Sequence, residues 1–268
     1  MGVKRTKTLD LYEHNHMRSM TRLNDSSRAL AAAFKAAVQF LTTVPVGGEV
    51  RFEPRAMSAY FPLVGLLLGL LVAGFDALGQ QVWSVGVVSG LDVIALLILT
   101  GALHVDGLGD SADGLFSHRS RERALEIMKD SRIGVMGLVT ILAVLGMKWA
   151  GLSELHSQRW LMICLVPAYS RAGMLVAMRV LPYGRPVGGT GRDFCDRHVS
   201  LRTYWMLPML VVLSLFLGWR ALIINGLFVL TTAALLLFYA RKIGCITGDT
   251  LGALNEVLEA VLFLGVSV

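Results

Sequence analysis

Asp92–Gly114, DVIALLILTGALHVDGLGDSADG, joins an almost wholly apolar run, Asp92–Leu103, directly to a segment with three aspartates, Asp106, Asp110 and Asp113, spaced by four and three residues. Acids at the end of a bilayer-length apolar run are costly and tend to be functional. If the helix continues through them, the three carboxylates fall within about a 60° arc of one face, one turn apart. Like charges so close raise one another's pKa and repel, so water, basic side chains or a divalent cation must compensate. A hard cation such as Mg²⁺ suits the pattern best, because it takes carboxylate oxygens, keeps several waters and is completed by substrate phosphates. The plainer reading is a solvated acidic helix end. Gly107, Gly109 and Gly114 are poor helix formers in water, but in a membrane small residues let a neighbouring helix or a ligand approach the backbone.

Composition sets the class. With 54% hydrophobic and 16% charged residues and a mean hydropathy of +0.61, the chain has more apolar surface than a soluble domain of its length can hide. The expected fold is all-α, a polytopic integral membrane helical bundle of six to seven transmembrane helices with polar loops gathered on one face. Apolar runs lie at 58–79, 85–103, 133–152, 160–179, 204–218 and 221–240, with a more polar candidate at 249–268 and a short run at 204–218. Residues 1–28 carry Lys4, Arg5, Lys7, Arg18, Arg22 and Arg28 and lack the apolar core of a signal peptide. They are expected to form a basic cytoplasmic tail ahead of a single transmembrane catalytic domain, 29–268. Ala29–Val44 is helical in pattern but interrupted by Lys35 and Gln39, which suggests an interfacial or partly inserted helix ending at Pro45.

Lys and Arg alternate between the connections. Those at 104–132, 180–203 and 241–248 are basic, whereas 80–84 and 219–220 carry at most Arg220. This asymmetry places the polar connections in the cytoplasm, with Lys148 and Arg159 as exceptions on the other side. It also accounts for the net charge of +6 without nucleic acid, for which no aromatic residues interleave the basic stretches. Three unpaired cysteines indicate neither a disulfide framework nor a zinc site.

Four polar elements converge on the expected cytoplasmic face. Beyond the aspartates, SRERALEIMKDSRIGVMG reads as a short amphipathic helix followed by Lys129 and Arg132, which could clamp a diphosphate or simply be a positive-inside loop. PYGRPVGGTGRDF combines three glycines with Arg185 and Arg192, a pattern that can hold phosphate. Arg171, inside an apolar run, must pair with an acid or line a polar cavity. In GCITGDTLGALNEVLEAVLFL, Asp249, Glu256 and Glu259 are spaced by seven and three and share a helix face. Two acidic faces on separate segments suggest a shared polar centre for one or two metal ions, with Asp106, Asp110, Asp113 and Glu256 as the candidate ligands. His104 ranks behind the aspartates as a ligand or proton acceptor.

HVDGLGDSADGL, followed by RALEIMKDSRIGVMG and GCITGDTLGALNEVLE, together with FLTTVPV at 40–46 and YFPLVGLLLG at 60–69, resembles the cobalamin synthase family, the adenosylcobinamide-GDP ribazoletransferases. The N-terminal extension is not part of that pattern, which leaves Met17 or Met20 as alternative starts. The resemblance implies a membrane enzyme of the last steps of cobalamin biosynthesis in the bacterial cytoplasmic (inner) membrane, with its active site facing the cytoplasm. There the 3′-hydroxyl of α-ribazole, or of its 5′-phosphate, would attack the phosphoryl group on the cobinamide arm of adenosylcobinamide-GDP and release GMP, with Mg²⁺ required. It implies metal binding by Asp106, Asp110 and Asp113, a base among these, Asp249 or Glu256, and phosphate contacts from Lys129 and Arg132, with Arg171, Arg185 and Arg192 as further candidates. A homo-oligomer or an association with other enzymes of the pathway is compatible with it.

Two other readings compete. A CDP-alcohol phosphotransferase also uses clustered membrane aspartates, but after Asp110-Ser111-Ala112-Asp113-Gly114 the chain continues LFSHR where Ala-Arg and further aspartates are expected. A cation-coupled transporter would use intramembrane acids as an ion path, but no inverted repeat is evident.

Overall fold

The computed structural model describes residues 28–48, 52–130, 132–184, 194 and 201–268. The chain is all-α there: α1 (28–41), α2 (Pro54–Ser58), α3 (Phe61–Gly79), α4 (Val85–Thr100), α5 (Leu103–Leu115), α6 (Arg121–Ile127), α7 (Val135–Ser153), α8 (Arg159–Val180), α9 (Met206–Ser214), α10 (Arg220–Lys242) and α11 (Gly248–Val266). Four helices, α3, α7, α8 and α10, are long and apolar enough to cross a membrane, and α4 with α5 makes a fifth if the bent pair is one span. The apolar run at 204–218 is the short α9 with a 3-10 turn, and the run at 249–268 is α11, whose three acids set it apart.

The chain is not one continuous helix through Asp92–Gly114, although all three aspartates lie on the helix α5. Gly101 and Ala102 both adopt left-handed backbone, φ +58° and +55°, and α5 leaves α4 at 93°. Gly101 takes this conformation without strain, whereas Ala102 is held there by its surroundings. The carbonyls freed at the end of α4 are taken up from FLTTVPV: the Thr43 amide donates to Leu99 O at 2.8 Å and its hydroxyl to Ile98 O at 3.0 Å. α1 docks on the bundle through Ala33, Ala36, Ala37 and Leu41, all buried on one helix face.

α8 is the central helix and is buried along nearly its whole length. Its closest neighbour is α3, which presents Gly65 and Gly69, four residues apart, to the backbone of Pro167–Ala168 and Ile163–Cys164. No side chain fits at either glycine, so the helices meet backbone to backbone, as small residues four apart permit in a bilayer. α4, α7 and α11 complete the bundle, and α5 lies across one end of it against α11 and α7.

At the opposite end Arg159 opens α8 among buried groups of three other helices. Its guanidinium donates to Asp76 of α3 at 2.7 and 2.9 Å, to Asp92 at 3.0 Å and Ser89 at 3.0 Å of α4, and to Leu152 O beside the end of α7. Arg159 thus lies inside the bundle and satisfies two buried acids. Around this end stand Trp83, Trp149, Trp160 and Trp219, each half or more exposed, as tryptophans do at a membrane–water boundary.

Arg159→Met leaves two acids buried without their cation and is expected to cost roughly 3–5 kcal/mol. Denaturation in detergent should show this loss, and should show most of it restored when Asp76→Asn and Asp92→Asn are added. A single variant as stable as the parent would contradict the assignment.

Candidate active site at the crossing of the broken helix and the last helix

α11 begins with a capping box: Thr247 Oγ1 accepts from the Thr250 amide at 3.2 Å, and Thr250 Oγ1 accepts from the Thr247 amide at 2.8 Å. Asp249 lies in this first turn, half-buried, and accepts from the Thr247 hydroxyl at 3.1 Å. A carboxylate is favoured there by the helix dipole, as is Asp106 in the first turn of α5.

Two glycines bring these helices together. A Cβ on Gly107 would stand 2.8 Å from the Asp249 carbonyl oxygen, and one on Gly252 would stand 2.9 Å from that of His104. The backbone of Asp249 therefore rests against α5 at Gly107, beside Asp106 and one turn from Asp110. Asp106 is exposed, and Asp110 is half-buried.

Asp113 has a different task. Its two carboxylate oxygens accept from the amides of Gly134, at 2.7 Å, and Gly137, at 2.8 Å. It caps α7 from outside the helix, in the manner of an N-cap side chain. This bond places the α6–α7 connection beside the acidic face. Within that connection Lys129 is exposed, and Arg132 forks onto Asp130 with Nε–Oδ1 at 3.0 Å and Nη2–Oδ2 at 2.6 Å. These bonds hold the Asp130 carboxyl down at about 2. The start of the Gly-rich loop is tied to the same region, because the Ile246 amide donates to Pro182 O at 2.9 Å and the Gly184 amide to Ile246 O at 2.8 Å. Arg185 and Arg192 themselves lie outside the described residues.

The remaining expected residues sit elsewhere. Glu256 and Glu259, two and three turns beyond Asp249, are buried with Lys148 between them, its Nζ 2.5 Å from Glu256 Oε2 and 2.6 Å from Glu259 Oε2. Arg171 pairs with Glu259, which also accepts from Ser170 Oγ at 3.1 Å. Asn255 Nδ2 stands within 3.2 Å of Glu256 Oε1 and 3.4 Å of both Glu259 Oε1 and the ring nitrogen Nδ1 of buried His104. Two cations and two carboxylates balance in the middle of the bundle. The acids of α11 thus divide between its half-buried first turn and a closed ion network, and Glu256 and Arg171 belong to the network. Lys148, expected on the far side, and Asn255, not singled out in the sequence, are its missing members.

Among the described residues, no three His, Cys, Asp or Glu side chains form a ready-made metal cage. The carboxylates at the crossing, half-buried or exposed, are hard oxygen donors, which suits a hard divalent ion completed by water and by the phosphates of a substrate.

The family model for cobalamin-5-phosphate synthase matches residues 33–267. Proteins named adenosylcobinamide-GDP ribazoletransferase are 37% identical in Desulforamulus reducens over 87% of this chain and 95% of that protein, and 39% identical in Pseudomonas putida over 87% and 98%. One in Leptothrix cholodnii is 36% identical over 88% of this chain and 94% of its own. No solved structure matches the chain. With the acidic crossing of α5 and α11 inside a match that runs from α1 to the end of α11, the chain belongs to the cobalamin-5-phosphate synthase family.

Proposed function

We propose that this chain is an adenosylcobinamide-GDP ribazoletransferase that joins adenosylcobinamide-GDP to α-ribazole or its 5′-phosphate, with Mg²⁺ as cofactor. The single observation that carries the chemistry is the placing of Asp249 against α5 beside Asp106 and Asp110, next to the connection that holds Lys129 and Arg132. The reading rests as well on the family match and on the names of the relatives.

In this reaction the acceptor's ribose oxygen forms a bond to the phosphorus on the cobinamide arm, the bond from that phosphorus to the bridging oxygen breaks, and GMP leaves. Mg²⁺ held by Asp106, Asp110 and Asp249 would offset the charge that develops on the transferred phosphoryl group and the leaving oxygen. The hydroxyl proton goes to one carboxylate of this set. Asp113, with both oxygens bonded to α7, positions the loop, and Glu256, neutralised by Lys148, holds the bundle. Lys129 and Arg132 take the diphosphate, Arg132 exchanging Asp130 for phosphate with the same planar fork.

The enzyme sits in the bacterial cytoplasmic membrane with this face inward. Arg119, Arg121, Arg123, Lys129, Arg132, Arg241 and Lys242 crowd the acidic end, and the tryptophans ring the other.

Purified protein in detergent, given adenosylcobinamide-GDP and α-ribazole 5′-phosphate, is expected to release GMP only with Mg²⁺ and acceptor both present. Asp110→Asn and Asp249→Asn should each lower this rate by about 100-fold or more while the fold persists. Release of CMP from a CDP-alcohol, with no GMP, would overturn the reading. In Asp113→Ala the expected change is chiefly in stability, about 1–2 kcal/mol for a lost cap, seen by thermal unfolding. A full loss of Mg²⁺-dependent activity at unchanged stability would instead put Asp113 at the metal.

A further inference from the structure

α9 with its 3-10 extension, Met206–Leu217, spans only about 18 Å at 1.5 Å per residue, well short of a hydrocarbon layer of about 30 Å. It turns back into α10 through Gly218 at φ +63°. This short element leaves a groove of about 640 Å³ against α3 and α8, lined by Leu66, Leu70, Leu161, Leu213, Phe216 and Trp160. Leu70, Trp160 and Phe216 are each more than half exposed, so the groove is open to the bilayer.

The rim toward the tryptophan-bearing end is polar and ordered. Gln158 Nε2 donates to Phe216 O at 2.7 Å, and next to it Ser157 accepts from Arg220 Nη1 at 2.6 Å on its hydroxyl and 3.2 Å on its carbonyl. The Arg220 guanidinium lies over the Trp219 ring, 5.6 Å from its centroid. Arg159, also at this end, is consumed by Asp76 and Asp92, but among the described residues no carboxylate pairs with Arg220, and its buried Nε has no partner. Exposed Trp160 and Trp219 place this cation at headgroup level, where a guanidinium fork suits a phosphate diester.

We propose that the groove between α3, α8 and α9 holds one acyl chain of an anionic glycerophospholipid whose phosphate meets Arg220 at the rim. The site lies at the opposite end of the bundle from the acidic crossing and is independent of the transferase reading. A lipid bound there to the folded chain alone stabilises it by mass action.

The test is native mass spectrometry and thermal unfolding of the full chain in detergent with phosphatidylglycerol or with phosphatidylcholine of the same acyl chains. One phosphatidylglycerol per chain should be retained and should raise the unfolding temperature, with phosphatidylcholine weaker by about tenfold or more. Arg220→Gln should erase that preference, and Leu70→Trp, which fills the groove, should abolish retention of both lipids while leaving unfolding in lipid-free detergent unchanged. Equal retention of the two lipids by the parent, or full phosphatidylglycerol retention by Leu70→Trp, would overturn the proposal. So would a disulfide dimer of Phe216→Cys formed in lipid bilayers at high yield, which would give the groove to a second copy.

Discussion

No ionised group can be left alone in the interior of a membrane bundle, and that constraint arranges most of this chain. Arg159 answers Asp76 and Asp92 at one end, and Lys148 with Arg171 answers Glu256 and Glu259 in the middle. Each set ties together helices far apart in sequence. The central set joins α7, α8 and α11 and reaches α5 through Asn255 and His104. A neutral, fully enclosed cluster is poorly suited to a metal or a substrate but well suited to fixing how helices sit, because removing one member leaves another charge unmatched.

Against that background the carboxylates at the end of the bundle stand apart. Asp106 is exposed and Asp110 and Asp249 are half-buried, whereas Glu256 and Glu259 are enclosed with Lys148. Their nearness depends on the absence of side chains at Gly107 and Gly252 and on the sharp break at Gly101–Ala102, which swings α5 across the end of α11. Thr43 bonds the loose end of α4 at that break, so a segment remote in sequence helps to set the position of the acids. The same break spares the chain from carrying three aspartates down a membrane-spanning axis.

The class of fold and the acidic end were legible because they rest on local signals: long apolar runs, and aspartates one turn apart. The break at Gly101 was not, since a glycine followed by alanine and leucine looks like any tolerated small residue in a membrane helix. Asp113 shares its helical register with Asp106 and Asp110, and only the approach of Gly134 shows that it caps another helix. Glu256 shares a face with Asp249, and depth alone separates their environments. One signal was available and bears on this: two acids in the interior of an apolar helix need two cations from other apolar helices, and Lys148 and Arg171 are the candidates of that kind. Counting charges by depth, in place of by face, leads to the pairing.

The most direct measurement is Mn²⁺ binding by electron paramagnetic resonance, with Mn²⁺ standing in for Mg²⁺, on the parent protein and on Asp249→Asn and Glu256→Gln, in the presence of adenosylcobinamide-GDP. If α11 divides its acids as described, Asp249→Asn loses the bound Mn²⁺ signal while remaining folded, and Glu256→Gln keeps it and loses stability. A folded Glu256→Gln protein that no longer binds Mn²⁺, beside an Asp249→Asn protein that still does, would contradict that division and return Glu256 to the metal.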